Sequence, residues 1–489
     1  MSQKPPDDVR SRNRMRTRPL IAITALTLVF GFASAATAAP LVGTTTRISL
    51  DSAGTQGNSS SFDPAVSGDG RYITYSSAAT NLVVGDTNLS SEIFLFDTTT
   101  LATTRVSVDS AAVQGNSSSA DSAVSGDGRY ITYISDASNL VVGDTNGHRD
   151  VFLFDRITAV TTRVSVNNAA VQGNADSSSP AISGDGRYIT YHSDASNLVV
   201  GDTNGTFDVF LFDRTTAVTT RISVDSAANQ SNADSFTPSI SADGRYITYT
   251  SDASNLVVGD TNGTADVFLF DRTTPLTSRI SVDSAANQSN ADSFIPSISA
   301  DGRYITYTSD ASNLVIGDTN LRFDVFLFDR TTTATARISV GSLATQSNAD
   351  SFIPSISGNG RYVTYTSDAN NLVVGDTNGI SDVFLFDRTT LATTRISVDS
   401  VATQSNAVSF NPAISGDGRY ITYDSNASNL VASDTNDASD VFLFALPAAA
   451  ATPALAATGS DPIAPLAIAA LLLGVGVFAV SYYRRYRTS

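Results

Sequence analysis

Short apolar runs alternate with polar, glycine-containing stretches along most of this chain of 489 residues. In one representative stretch the runs are 238–241, 245–250, 266–270 and 277–282, and they are rich in β-branched and aromatic residues. Gly, Asp, Asn and Ser fill the gaps, which is the pattern of strands joined by turns. Between the two chain ends no window keeps apolar residues at helical spacing. The pattern therefore predicts an all-β fold.

The same four runs recur at a fixed interval. The tripeptide Gly-Arg-Tyr returns every 58 residues without insertion or deletion, and seven copies fill residues 44–445. The copies of the tripeptide begin at Gly70, Gly128, Gly186, Gly244, Gly302, Gly360 and Gly418. A regular repeat with four strands in each copy predicts a seven-bladed β-propeller of four-stranded blades. We expect the arginine of the tripeptide to form a structural salt bridge in each blade.

The third run of each copy, Phe-Leu-Phe preceded by Val or Ile, has no polar face. A strand that is apolar on both faces must be covered on both sides, and radially packed blades do this. The chain enters with a fourth-strand motif at 45–50 and leaves with a third-strand motif at 440–445. We therefore predict that the N-terminal strand completes the last blade and closes the ring. A superhelical solenoid is the alternative, and it would leave both strands without partners.

A family resemblance rests on two strings of the repeat. In the fourth copy they are Pro-Ser-Ile-Ser-Ala-Asp-Gly-Arg-Tyr-Ile-Thr-Tyr-Thr-Ser-Asp (238–252) and Asp-Val-Phe-Leu-Phe-Asp-Arg (266–272). Together they resemble the TolB-like propeller repeat over about 400 residues. The chain departs from that family where Ile240 or Val66 replaces the Trp of the first strand. The resemblance implies a fold and no single function, because such propellers serve as binding scaffolds, hydrolase caps and structural modules.

The loops of the predicted blade are unequal. The turns between strands one and two and between strands three and four are short, whereas the loop between strands two and three and the connection to the next blade are long. In a four-stranded meander both long segments lie at the same end. Binding sites are usually found on loops held by a rigid scaffold. We therefore expect a binding site on this face, which we name the long-loop face.

One of the long loops carries a repeated pattern, Asp-Thr-Asn-x-x-x-acid. Its oxygens resemble a short calcium loop, because calcium takes several carboxylate and carbonyl oxygens. Calcium is therefore the only cofactor that the sequence predicts. The alternative is turn chemistry, in which Asp and Asn bond to their own backbone. The candidate ligands are Asp86, Asn88, Glu92, Asp144, Asn146, Asp150, Asp202, Asn204, Asp208, Asp260, Asn262, Asp266, Asp318, Asn320, Asp324, Asp376, Asn378, Asp382, Asp434, Asn436 and Asp440.

The first 38 residues have the features of a secretory signal peptide. Five arginines precede an apolar stretch at 20–32, and small residues follow it. Ala36-Thr37-Ala38 fits the cleavage pattern, so we predict cleavage after Ala38. An uncleaved membrane anchor is the alternative, although the apolar run is short for a full span.

The last 35 residues have three parts in a fixed order. Leu455-Ala456-Ala457-Thr458-Gly459 precedes an apolar segment at 464–482 that is long enough to cross a bilayer as a helix, and three arginines follow. The order resembles the sorting signal of sortase substrates in high-GC Gram-positive bacteria, such as actinobacteria. The resemblance implies cleavage after Thr458 and attachment to the cell wall by a sortase-type transpeptidase. A plain membrane anchor is the alternative, and residues 446–454 are expected to be an Ala- and Pro-rich linker.

Charge and composition limit the classes of ligand and the kinds of site that this chain can have. Nine of the 30 basic residues but only three of the 47 acidic residues lie in the two terminal segments, so the body between them has a net charge of about −23. That charge disfavours nucleic acid and anionic lipid as ligands, and favours cations, basic surfaces or neutral ligands. The chain has no Cys, which excludes disulfides, thiolate metal sites and Cys nucleophiles.

Few residues are candidates for catalysis or for contact with a ligand. The two histidines, His148 and His192, have no sequence-specific partner, so we do not expect an enzyme. Phe207 and Phe323 stand at variable loop positions and could stack on a ligand or pack against their own loop. We expect an exported, surface-anchored module that binds or adheres without catalysis, to a glycan, a wall polymer or a protein. The alternatives are a secreted hydrolase that uses the same face and a structural surface-coat protein.

Overall fold

The computed structural model of this chain describes residues 43–447. They form 28 β-strands in seven antiparallel sheets of four strands each, which confirms the all-β, seven-bladed propeller. The N-terminal strand is β1 (Thr44–Arg47). Blades 1 to 3 contain β2 (Ser61–Val66), β3 (Tyr72–Ser77), β4 (Glu92–Asp97), β5 (Ala102–Arg105); β6 (Ser119–Val124), β7 (Tyr130–Ser135), β8 (Asp150–Asp155), β9 (Val160–Arg163); and β10 (Ser177–Ile182), β11 (Tyr188–Ser193), β12 (Asp208–Asp213), β13 (Val218–Arg221). Blades 4 to 7 contain β14 (Ser235–Ile240), β15 (Tyr246–Ser251), β16 (Asp266–Asp271), β17 (Leu276–Arg279); β18 (Ser293–Ile298), β19 (Tyr304–Ser309), β20 (Asp324–Asp329), β21 (Ala334–Arg337); β22 (Ser351–Ile356), β23 (Tyr362–Ser367), β24 (Asp382–Asp387), β25 (Ala392–Arg395); and β26 (Ser409–Ile414), β27 (Tyr420–Ser425), β28 (Asp440–Ala445).

The ring is closed as the phase of the repeat predicts. Strand β1 pairs antiparallel with β28, from Thr44 opposite Ala445 to Arg47 opposite Phe442, and becomes the outermost strand of blade 7. The first strand of each blade is the innermost, and β2 of blade 1 packs against β26 and β27 of blade 7. The solenoid alternative is wrong, because no blade of the described residues lacks its fourth strand.

The core lies between neighbouring blades. The second and third strands are buried along almost their whole length, and in blade 4 Val267 and Phe268 have no exposed surface. Tyr249 stacks on Phe268 with the ring centroids 6.0 Å apart, and the same pair recurs in every blade. Burial of such side chains contributes about 1.5–3 kcal/mol each, so every seam between blades has its own hydrophobic core.

The face opposite the long loops, which we name the short-turn face, is held by repeated arginine contacts. Arg71 forms an ion pair with Asp97 at 2.9 Å, and its guanidinium lies 4.8 Å from the centroid of the Tyr72 ring. Arg156 of the next blade lies 4.0 Å from the centroid of the same ring. The expected salt bridge is present in blades 1 to 6; in blade 7, Ala445 stands in place of the aspartate.

Several sequence predictions fall outside the described residues. The signal peptide at 1–38, all but the first two residues of the linker at 446–454, and the sorting signal at 455–489 lie there, and they stay predictions. Within residues 43–447, no helix has the length and apolar character needed to span a bilayer.

Candidate functional site

The predicted calcium ligands of each blade come together at the base of the long loop, where the third strand begins. We name each group of three a loop triad. In blade 4 the Nδ2 atom of Asn262 donates to Asp266 Oδ2 at 3.1 Å and to the backbone oxygen of Ser289 at 3.1 Å. The amide therefore connects the acid of its own blade with the chain that leads into the next blade. The other six triads are Asp86, Asn88, Glu92; Asp144, Asn146, Asp150; Asp202, Asn204, Asp208; Asp318, Asn320, Asp324; Asp376, Asn378, Asp382; and Asp434, Asn436, Asp440.

An arginine from the outermost strand stands between the two carboxylates of each triad. In blade 4, Arg279 Nη1 lies 3.1 Å from Asp260 Oδ1 and 2.9 Å from Asp266 Oδ2. Strand pairing puts it there, because Arg279 lies opposite Phe268, two residues beyond Asp266. In blade 7 this arginine is Arg47 of β1, so the closing strand also supplies the cation for the last triad.

The triad carboxylates are buried and already have partners. Asp266 has no exposed surface, and its Oδ1 accepts hydrogen bonds from the hydroxyls of Ser281 and Ser289. Burial raises the pKa of Asp260, and it raises the pKa of Glu92 to about 7 and that of Asp440 to about 6. The described residues contain no group of three or more acids or histidines placed to hold a metal ion. Calcium stays a prediction, and the ion would bind between these carboxylates only if the arginine moved away.

A second feature of this face is the wall of the central channel. The third residue of each innermost strand has a left-handed backbone, with φ between 46° and 53°, and it lies at a β-bulge. Side chains from neighbouring blades meet here, since Asn411 Nδ2 donates to Asp63 Oδ1 at 2.8 Å. We name these seven residues the channel ring: Asp63, Asp121, Ser179, Thr237, Ile295, Ile353 and Asn411.

Aspartates flank the innermost strands of blades 2 to 6 at their long-loop end, next to the channel mouth. They lie just before the innermost strand or just after the second strand, and in blade 4 the two positions are joined by a bond from Asp252 N to Asp234 O at 2.9 Å. Burial raises the pKa of Asp252, and the charges of Asp234 and Asp292 raise it further. We name this set the mouth aspartates: Asp136, Asp176, Asp194, Asp234, Asp252, Asp292, Asp310, Asp350 and Asp368.

The histidines and loop phenylalanines lie beside the mouth. His148 Nδ1 is 3.1 Å from Asp176 Oδ1, and both side chains are exposed. Burial lowers the pKa of His192 to about 4, so its imidazole is neutral at neutral pH. The Phe207 ring packs edge-on against His192, with centroids 5.5 Å apart, so this aromatic does not pack only against its own loop. Within residues 43–447, no Ser or Thr hydroxyl bonds to either imidazole, and the question of catalysis stays open.

The tip of the loop between the second and third strands carries an aliphatic side chain in six blades. These side chains are fully exposed, so they contribute nothing to the core of the propeller. Blade 7 has Ala432 at this position. The six tip residues are Val84, Val142, Val200, Val258, Ile316 and Val374.

The seven repeats differ most strongly near the channel mouth. The channel-ring position has five residue types in seven copies, and so does the position of Ser76 near the end of the second strand. The loop position of His148 has six different residue types in the seven copies. The buried Tyr and Phe of the second and third strands are the same in all copies. Phe207, Phe323 and the two histidines stand out in the sequence as single departures from the repeat. The channel ring does not, and only a position-by-position comparison of the seven repeats reveals it.

Comparison with protein-family models and with curated proteins gives no match. Solved structures similar to this chain include TolB from Acinetobacter baumannii, at 18% identity and TM-score 0.37, over 62% of this chain and 58% of that one. Oligogalacturonate lyase from Vibrio parahaemolyticus is 10% identical, with TM-score 0.49, over 82% and 93% of the two chains. The propeller domain of the Trilobed protease from Pyrococcus furiosus is 9% identical, with TM-score 0.49, over 79% and 95%. The propeller assignment here rests on the strand pairing itself.

Proposed function

We propose that this chain is an exported propeller that is held at the cell surface by its C-terminal sorting signal and binds a partner, without catalysis, through the long-loop face. The observation that carries the proposal is the distribution of differences among the repeats. The aspartates of the mouth recur in blades 2 to 6, whereas the channel-ring position and the positions of Ser76 and His148 differ from blade to blade, so the mouth is not seven-fold symmetric. A single asymmetric partner that contacts all blades at once would require such differences.

Both ends of the propeller leave from the short-turn face, which supports exposure of the long-loop face to the medium. Thr44 lies opposite Ala445 at the short-turn end of blade 7, so both ends of the propeller leave from the face opposite the channel mouth. Residues 446–454 then lead to the sorting motif, and nine residues span at most about 30 Å. Attachment through Thr458 would hold the short-turn face toward the wall and leave the long-loop face toward the medium.

The chemistry of the mouth favours a ligand that carries amino or guanidinium groups. Carboxylates attract such cations, and aromatic rings bind them through their faces. Innermost strands of five blades place a partly exposed phenylalanine next to the channel ring, and the exposed aliphatic tips add apolar contacts further out. The five phenylalanines are Phe62, Phe236, Phe294, Phe352 and Phe410.

The test is a binding screen of the full-length protein against glycans, wall polymers and lysine-rich peptides. We expect retention on a probe that carries cationic groups, and a loss of at least about tenfold in affinity when three mouth aspartates are changed to Asn, since about 1.4 kcal/mol is tenfold. Asn retains the oxygen that accepts a loop N–H, so the fold is preserved. The mouth variant is Asp234→Asn, Asp292→Asn and Asp350→Asn.

A matched control separates local contact from overall charge. It removes the same three negative charges at the outer rim, where each aspartate caps its own loop. The control variant is Asp225→Asn, Asp283→Asn and Asp399→Asn. Equal losses in the two variants would contradict a site at the channel mouth and would indicate nonspecific electrostatic attraction.

A further inference from the structure

The seam between blade 7 and blade 1 brings two carboxyl groups together. Asp63 lies on β2 of blade 1, and Asp424 lies on β27 of blade 7. Asn411 Nδ2 donates to Asp63 Oδ1 at 2.8 Å and to Asp424 Oδ1 at 3.0 Å. The backbone N of Asp63 is 3.4 Å from Asp424 Oδ1. The side-chain amide of Asn411 therefore bridges one acid of blade 1 and one acid of blade 7.

The other six seams lack this arrangement. The repeat places the residue equivalent to Asp424 beside the channel-ring residue of the next blade, and in those seams the two positions hold at most one acid. The six pairs are Ser76 with Asp121, Ile134 with Ser179, His192 with Thr237, Thr250 with Ile295, Thr308 with Ile353, and Thr366 with Asn411. The carboxyl pair is therefore a property of the closing seam alone within the described residues.

The surroundings of the pair disfavour two negative charges. Asp424 is only 6% exposed, and burial raises its pKa to about 7; burial also raises the pKa of Asp63. Asp121 of blade 2 is the next acid along the ring; burial raises its pKa to about 6, and the charge of Asp63 raises it further. Within residues 43–447, no arginine or histidine forms an ion pair with Asp63, Asp121 or Asp424. The pair therefore has a bridging amide but no cation.

The short-turn side of the same seam lacks an arginine contact that five of the other six seams have. Blades 2 to 6 each place an arginine over the tyrosine of the preceding blade, whereas Thr98 of blade 1 stands where an arginine would cover Tyr420. Arg419 lies 5.4 Å from the Tyr420 centroid and has Ala445 where other blades have its aspartate partner. Blade 7 keeps its backbone pairing with β1 and an apolar core shared with blade 1, which includes Ile73, Phe96 and Leu443, but these contacts carry no charge that would offset repulsion at the channel.

We propose that the closing seam is a pH-sensitive latch, in which the Asp63–Asn411–Asp424 bridge holds blade 7 against blade 1 in acidic medium and releases it as the pair becomes doubly charged. A carboxyl group whose pKa is raised by folding stabilises the fold fully below its unfolded pKa, and this contribution is lost as pH rises through the folded pKa. For Asp424 that window extends from 3.8 to about 7. The released element is β26–β28, which is tied to β1 by four residue pairs. This latch does not depend on the ligand proposed above.

Hydrogen–deuterium exchange of the full-length protein tests the latch, because near-identical strands in one molecule serve as internal controls. Strand β28 is compared with β16, whose sequence differs only at the last residue. After correction for the intrinsic pH dependence of exchange, we expect protection of β28 to fall about tenfold more than that of β16 between about pH 5 and about pH 8. Equal changes in the two strands would overturn the proposal.

A variant separates the contribution of Asp63 and Asp424 from that of other groups that titrate in blade 7. Asp440, at the start of β28, has a pKa raised by burial to about 6 and is held by Arg47, so it also contributes to the wild-type response. Asp424→Thr introduces the residue that blades 4 to 6 carry at this position and removes one acid of the pair. We expect this variant to fold and to lose most of the extra pH response of β28. If the full response remains, Asp440 and not the bridge is responsible, and the latch is wrong.

Discussion

Replacement of the triad arginine by methionine should destabilise the propeller and create a calcium site. Arg279 is about 10% exposed, and its partner Asp266 is not exposed at all. Removal of one partner from a buried ion pair costs about 3–5 kcal/mol, because the other charge is left buried without compensation. Asn262 and two serine hydroxyls still bond to Asp266, so we expect the lower end, about 3 kcal/mol.

Calcium should recover part of that loss in the variant and leave the wild type unchanged. In Arg279→Met, no cation stands between the carboxylates of Asp260 and Asp266, so a divalent ion can take that place; in the wild type the guanidinium is within 3.1 Å of both carboxylates. A ligand at ten times its dissociation constant stabilises the native state by about 1.4 kcal/mol. Extracellular calcium modules bind at about 10⁻⁴–10⁻³ M, so the gain should occur at millimolar calcium.

The assay is urea unfolding of wild type and variant in EDTA, magnesium and calcium at matched ionic strength. Arg245→Met is the control in the same repeat, because Arg245 is 38% exposed and solvent screens its ion pair with Asp271, so we expect a smaller loss of stability and no calcium response. A calcium-specific rise in the wild-type midpoint would refute the argument. It would show that the arginine does not exclude the ion, and that the calcium loops predicted from the sequence bind calcium in the native protein.

Two further predictions concern the chain end and the acidic limit of stability. Thr458→Ala should move the protein from the cell-wall fraction to the membrane fraction, and a wild type found wholly in the detergent-soluble membrane would contradict covalent attachment. Hydrogen bonds from Arg129 lower the pKa of Asp155 to about 2, so the stability that this pair contributes is present above pH 3.8 and is lost as pH falls toward 2. Urea midpoints measured down this range should fall less steeply for Arg129→Gln, and parallel curves would count against this contribution.

The four-stranded blade and the closure of the ring could be predicted from the sequence. The blade follows from local patterns of residue type, and the closure follows from the strand motif with which the repeats begin and end. A strand such as 267–270, apolar on both faces, is stable only between two neighbours, and a spare strand at one end matches a missing strand at the other. Both arguments use nothing beyond spacing and residue type. They are independent of the exact side-chain contacts, and for this reason the fold agrees with the sequence prediction in strand number, order and closure.

The loop triad could be predicted only in part. The spacing of Asp260, Asn262 and Asp266 indicates that their oxygens converge, and they do. The spacing says nothing of Arg279, which lies 13 residues beyond Asp266 and reaches it through the pairing of β16 with β17. Carboxylate oxygens are partners for a guanidinium as well as ligands for a metal ion. The choice between them depends on a neighbour across the sheet, which a motif within one loop cannot reveal.

The channel ring has side chains that the backbone conformation does not favour. Ile295 and Ile353 have φ of 51° and 52°, a left-handed conformation that costs a β-branched residue about 1–2 kcal/mol. Glycine would remove that cost, and the short turns of the same blades do use glycine with positive φ, as at Gly302 and Gly360. The fold therefore gains nothing in backbone energy from isoleucine at these two positions. Under the proposed function, a ligand that binds at the channel mouth would account for these two side chains.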